Sequence, residues 1–129
     1  MLSFDLFRND PDFVRIKKGE PLFNEGDRGD VMYVLISGKA EVAMSGVAIE
    51  VCTSGDVVGE LACIDGSARA ATVTAHTDCE FAVIDKKRFQ FLVDESPRFA
   101  LDVMRVIARR LKECDRRLLE AISERRSIS

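Results

Sequence analysis

The chain is predicted to be mainly β, folding as a β-sandwich or jelly roll with flanking helices, and three observations lead there. Between Phe13 and Asp85 the apolar runs are short and are separated by glycine turns. After Asp85 the pattern becomes helical in character. The 129 residues, 47% apolar and 32% charged, are enough to bury one sizeable core and too few for a second folded domain. The expected organisation is one domain over 1–129, with an N-terminal helix in 1–12, the β fold in 13–85 and C-terminal helices in 86–125.

Taken in order, Phe4, Leu6 and Phe7 precede Asn9-Asp10-Pro11, which reads as a short amphipathic helix over 4–10, ended by a turn and lidding the core. Strands are expected at 13–16, 31–36, 40–43, 47–51, 57–58, 70–75 and 81–84, where apolar and β-branched residues cluster. Residues 86–93 form one short helix. Ser96-Pro97 then restarts a longer one, from Pro97 to about Ile122, with no further glycine or proline and rich in Leu, Arg, Ala and Glu. Within it Met104, Ile107, Leu111, Cys114, Leu118 and Ala121 follow a 3, 4, 3, 4, 3 spacing, the seam of a coiled coil. Its first half, through Ile107, is expected to pack on the β core. Beyond Leu111 the helix outruns a compact domain, so a parallel homodimer through 104–121 is expected.

Composition narrows the function. The net charge is only −3, and the basic residues fall mostly late in the chain, so no duplex-binding face precedes the last helix and direct DNA binding is not expected. No stretch of about 18 apolar residues is present and the N-terminus has no charged start followed by an apolar run, so neither a membrane partner nor export is expected, and the location is read as cytoplasmic. Cys52, Cys63, Cys79 and Cys114 are irregularly spaced among apolar neighbours, as reduced buried thiols are, and form no metal pattern. His76 is the only histidine. A metal-dependent jelly-roll enzyme or a metal-dependent phosphodiesterase needs several ligands of this kind, and no Ser/His/Asp set is available, so catalysis is not expected.

The segment from Gly59 to Val73, Gly59-Glu60-Leu61-Ala62-Cys63-Ile64-Asp65-Gly66-Ser67-Ala68-Arg69-Ala70-Ala71-Thr72-Val73, concentrates chemistry suited to a small cyclic phosphodiester. Gly59 allows close backbone approach, and one helical turn after it offers N–H groups to an anion. Arg69 presents a fixed fork of donors to phosphate oxygens, whereas Glu60 is an acceptor suited to a ribose hydroxyl. Opposite charges this close in sequence suggest two ends of one ligand.

This segment resembles the phosphate-binding cassette of the cyclic nucleotide-binding domain family, which includes protein kinase A regulatory subunits, cyclic nucleotide-gated channels and the bacterial cyclic AMP receptor protein. The upstream Phe23-Asn24-Glu25-Gly26-Asp27-Arg28-Gly29-Asp30, Tyr33-Val34 and Ser37-Gly38 also resemble the family's strand-turn-strand glycine pattern. The resemblance covers residues 13 to 120 and implies a β jelly roll, or double-stranded β-helix, with a short N-terminal helix, a cassette helix and C-terminal helices. It implies that Arg69 pairs with the exocyclic phosphate. Leu61 and Ala62 supply backbone donors and an apolar contact, and Ala70 and Ala71 keep the cassette narrow. Gly59, Glu60, Leu61, Ala62, Ser67, Arg69, Ala70 and Ala71 are thus the expected ligand-binding residues, with no metal and no other cofactor. Gly26, Gly29 and Gly38 are read as scaffold.

The resemblance further implies that cGMP-preferring members often carry threonine directly after the arginine. This chain has Ala70 there, so cAMP is the expected ligand and cGMP the alternative. Many members cap the base from the last helix, often with an aromatic, and none follows Phe99; Arg109, Arg110 and Leu111 are the candidates. The expected function is a cyclic nucleotide sensor that repositions its C-terminal helix. The alternatives are an interaction or dimerisation protein with a vestigial pocket, or a cupin-like metalloenzyme. The family's bacterial transcription factors continue into a helix-turn-helix domain, for which a chain ending at Ser129 leaves no room.

Overall fold

The computed structural model describes residues 12–128, so the helix expected at 4–10 lies outside the described residues. The element order is β1 (Phe13–Ile16), β2 (Pro21–Phe23), β3 (Met32–Ser37), β4 (Ala40–Met44), β5 (Val47–Cys52), β6 (Val57–Val58), α1 (Glu60–Asp65), β7 (Thr72–Ala75), β8 (Cys79–Ile84), α2 (Lys86–Glu95) and α3 (Pro97–Ile128). The strands form two four-stranded sheets, β1-β8-β3-β6 and β2-β7-β4-β5. All their pairings are antiparallel, giving the jelly roll that the sequence pattern predicts.

The first sheet is buried on both faces, and strand alternation sorts its side chains between two cores. Met32, Val34, Val57, Ala82 and Ile84 point toward the helices, where Cys63, Leu92, Phe99, Val103 and Val106 meet them. Leu35, Val58, Cys79 and Phe81 point the other way, against Phe23, Ala40, Val42, Cys52, Val73 and Ala75 of the second sheet. A register shift between Leu35 and Ser37 interrupts the β3–β8 ladder where the chain turns into β4. Gly38 makes that turn at φ +97, and a Cβ there would overlap the Asp78 carbonyl.

β2 is absent from the expected strands because three residues beginning with proline show no readable alternation; Pro21 is tolerated because β2 is an edge strand. α2 is capped by Asp85, whose side chain accepts the Arg88 N–H at 2.7 Å. α3 continues past the expected end at Ile122 to Ile128.

The expected seam of α3 also divides. Phe99, Val103 and Val106 take the core face, whereas Met104 is 60% exposed, so the expectation that Met104 packs on the β core is incorrect. Ile107 and Cys114 are half-buried, while Leu111, Leu118 and Ala121 are exposed. A heptad names a stripe, but residues one position either side of it decide which edge of that stripe faces the domain.

α3 is fastened to β5 by charge. Glu50 accepts from Arg110 Nε at 2.6 Å and from Arg109 Nε at 3.2 Å, and Arg109 also lies 3.7 Å from Asp56. Burial pushes the Glu50 carboxyl up, but Arg110 and Arg109 outweigh it and hold the group below its ordinary value of 4.5. A lowered folded-state value means the stabilisation is complete above 4.5 and is lost as pH falls through the folded value. Urea denaturation of the wild type and Glu50→Gln is therefore expected to show a wild-type advantage of about 1 kcal/mol at neutral pH. That gap should close as the pH drops below 4.5; one that stays constant down to acid pH contradicts the assignment.

Candidate functional site

A cavity of about 320 Å³ lies between the second sheet, the α1 segment and α3. Its wall has two chemistries. Gly59, Glu60, Arg69 and Arg110 bring its charged and backbone polar groups, and Val42, Met44, Ile49, Ile107, Leu111 and Cys114 are among its other lining residues.

The charged side chains are seated around a tight backbone turn. Gly59 sits at φ 76 before α1, and no side chain caps that helix. A Cβ at Gly59 would lie 2.6 Å from Arg69 Nη1, so glycine is required by both conformation and space. Directly after it, Glu60 is 4% exposed. Its Oε1 accepts from Arg110 Nη1 at 2.8 Å. A side-chain oxygen so deeply placed needs a hydrogen-bonding partner of this kind.

Arg69 is 5% exposed and yet lines the cavity. Nη1 donates to the carbonyls of Val31 at 2.7 Å and Gly59 at 3.2 Å. The guanidinium lies over the Phe23 ring at 4.3 Å and near Tyr33 at 5.7 Å. These contacts fix the plane of the fork and leave its other nitrogens to point elsewhere. Backbone bonds lock the loop from below: Gly26 donates to Arg69 O, and Arg69 N donates to Asp27 O, both at 2.8 Å. Gly29 completes the seat, since a Cβ there would lie 2.7 Å from Arg69 Nε and 2.8 Å from Cζ. Gly29, read from sequence as scaffold, therefore shapes the site by giving the arginine room.

The residue that sequence reasoning undervalued is Arg110. Besides Glu60 and Glu50, it donates through Nη2 to Val57 O at 2.5 Å and to Cys52 Sγ at 3.5 Å. Burial alone would lower its affinity for a proton, but Glu60, Cys52 and Glu50 together raise it, so Arg110 stays charged. Cys52 is pushed up to about 12 by burial and remains a thiol. The only signal in the sequence was that Arg110 stood among three candidates to cap a base.

Of those three, Arg110 and Leu111 line the cavity, whereas Arg109 faces Glu50 and Asp56. Gly59, Glu60, Leu61, Ala62, Arg69, Ala70 and Ala71 all line it as expected. Ser67 does not: its backbone N–H donates to Asp65 Oδ1 at 2.9 Å, closing a local turn after α1. Phe23, Met44 and Cys114 line it without having been anticipated. Their contribution depends on long-range packing, as in the 3.6 Å contact of Cys114 Sγ with Met44 Sδ.

Comparison with known proteins agrees with this geometry. The cyclic nucleotide-binding domain family matches residues 13–96. A cGMP-dependent protein kinase of Toxoplasma gondii is 46% identical over 67 residues, covering 52% of this chain and 6% of the kinase. A cAMP-dependent protein kinase regulatory subunit of Emericella nidulans is 39% identical over 84 residues, covering 64% of this chain and 20% of the subunit. The chain thus spans only a small part of these relatives. The solved structure of cAMP-bound PfPKA-R superposes with a TM-score of 0.73 at 30% identity, over 81% of this chain and 36% of that one. With its double sheet, its glycine-seated Arg69 and a family match over most of its length, the chain belongs to the cyclic nucleotide-binding domain family.

Proposed function

We propose that this chain is a regulatory sensor that binds cAMP in the cavity described above and changes the placement of α3 when it does so. The observation that carries the reading is that, among the described residues, Arg69, Glu60 and Arg110 are the charged side chains lining an otherwise largely apolar cavity. The cyclic phosphate is taken by Arg69 and the first turn of α1. Glu60 accepts the ribose 2′-hydroxyl with lone pairs that Arg110 does not use. The base then extends toward Met44, Leu111 and Cys114. Ala70 offers guanine no hydroxyl, which favours cAMP over cGMP, although the matched kinases and subunits are named for both nucleotides. The reading is of a regulator rather than an enzyme, working in the cytoplasm, where free cysteines such as the four here stay reduced.

Repositioning of α3 follows from where Arg110 sits. A ligand moves an equilibrium only through differential contacts with its states. Here the ribose reaches the carboxylate that already holds α3, so occupancy and helix position share one ion pair. α3 also carries Met104, Leu111 and Leu118 in the open, with exposures of 60%, 61% and 59%. Their spacing along one stripe supports a parallel homodimer through 104–121.

Titration calorimetry with cAMP and cGMP is expected to show tight cAMP binding, weakened in Arg69→Ala by about 2–5 kcal/mol, with thermal melts confirming that the variant folds. Silence from the wild type would favour a vestigial pocket, and metal-dependent turnover a cupin-like enzyme. Saturation with cAMP should alter amide hydrogen exchange across residues 110–122; an unchanged pattern removes the helix movement while leaving binding intact. In sedimentation equilibrium the wild type is expected to be dimeric at micromolar concentration and Leu118→Glu monomeric, and a monomeric wild type overturns the dimer.

A further inference from the structure

We infer that Glu50, a residue outside the cavity, sets how sharply the chain distinguishes a ribose from a deoxyribose, by holding Arg110 to a single contact with Glu60. The inference rests on the cyclic nucleotide reading of the cavity and on Glu60 taking the 2′-hydroxyl. Glu50 is a positioning residue: it does not line the cavity but borders the groove beside it, with Arg105, Arg109 and Lys112. An irregularity in β5 brings it there. Strict alternation turns consecutive residues of a strand to opposite faces. The β4–β5 register pairs Val42 with Glu50 and Ala43 with Ala48, skipping Ile49. An extra residue of this kind bends the strand and re-aims its side chains. Ile49 accordingly lines the cavity while Glu50, next to it, reaches α3.

Each nitrogen of the Arg110 guanidinium has its own partner. Nε donates to Glu50 Oε1 at 2.6 Å, Nη1 to Glu60 Oε1 at 2.8 Å and Nη2 to Val57 O at 2.5 Å. Three anchors in three directions fix the plane of the fork, so it meets Glu60 through one nitrogen only. Among the described residues, Glu60 Oε2 accepts no hydrogen bond, and Glu60 lines the cavity. A guanidinium and a carboxylate left to themselves favour a bidentate pair, in which both oxygens are taken. Glu50 prevents that pairing by keeping Nε on β5, and Oε2 stays an acceptor for the 2′-hydroxyl. Without Glu50 the fork turns two nitrogens onto Glu60, and the hydroxyl loses its partner.

Titration calorimetry with cAMP and 2′-deoxy-cAMP reads the effect as a ratio of dissociation constants. The wild type should prefer cAMP by about tenfold or more, the worth of one hydrogen bond to a charged acceptor. Glu50→Gln, whose amide oxygen still accepts from Nε, should keep most of that preference. Glu50→Leu and Glu50→Thr, which bring no acceptor within reach of Nε, should cut it to about twofold. Thermal melts identify which of the two folds, and either one suffices. A purely structural role for Glu50 weakens both ligands alike, so a Leu or Thr ratio equal to that of the wild type overturns the inference while cyclic nucleotide binding stands. A Gln ratio as low as theirs overturns it too. A wild type that binds both ligands equally removes the ribose contact and the inference with it, and one that binds neither sinks the reading of the cavity itself.

Discussion

The guanidinium of Arg110 is the joint on which this architecture turns. A buried cation is tolerated only when its donors are met, and Arg110 meets them on β5 through Glu50, on β6 through the Val57 carbonyl and on α1 through Glu60. One rigid fork thus ties α3 to three consecutive elements of the chain. Removing either end of the deeply buried Arg110–Glu60 pair costs about 3–5 kcal/mol, since the other charge is stranded. The path of α3 across the cavity is therefore set by charge as much as by the Phe99, Val103 and Val106 contacts that begin it.

Arg69 obeys a different constraint. Among the described residues no carboxylate pairs with it; carbonyl oxygens, two aromatic rings and two glycines hold it instead. The positive charge is therefore fixed in place without being neutralised, the condition under which an arriving anion gains most. Two arginines thus line the cavity with opposite assignments. Arg110 is neutralised by acids and binds the protein together, whereas Arg69 keeps its charge available.

The doubly buried first sheet makes this division possible. By facing the helices with one set of side chains and the second sheet with the other, it lets α3 pack on one side while the cavity opens along the second sheet. Tyr33 and Phe81 stack edge to face at 6.1 Å inside that second core, and Phe23 joins Tyr33 at 6.0 Å, so the ring beneath Arg69 is itself braced.

The cassette was legible in the sequence because its parts lie within a dozen residues: Gly59, Glu60 and Arg69 act through a local turn, and spacing alone brings them near. The jelly roll was legible because alternating apolar residues and glycine turns are local signals too, although three-residue β2, with its Phe23, was too short to show a period. What tertiary structure alone decided is everything that joins distant segments. Sequence carries no marker that Arg110 reaches Glu60 across fifty residues. Nor does it mark Gly29 as the seat of Arg69, or tell which edge of the α3 stripe turns inward. Helix periodicity defines a stripe; only packing against a particular surface says which of its residues are covered.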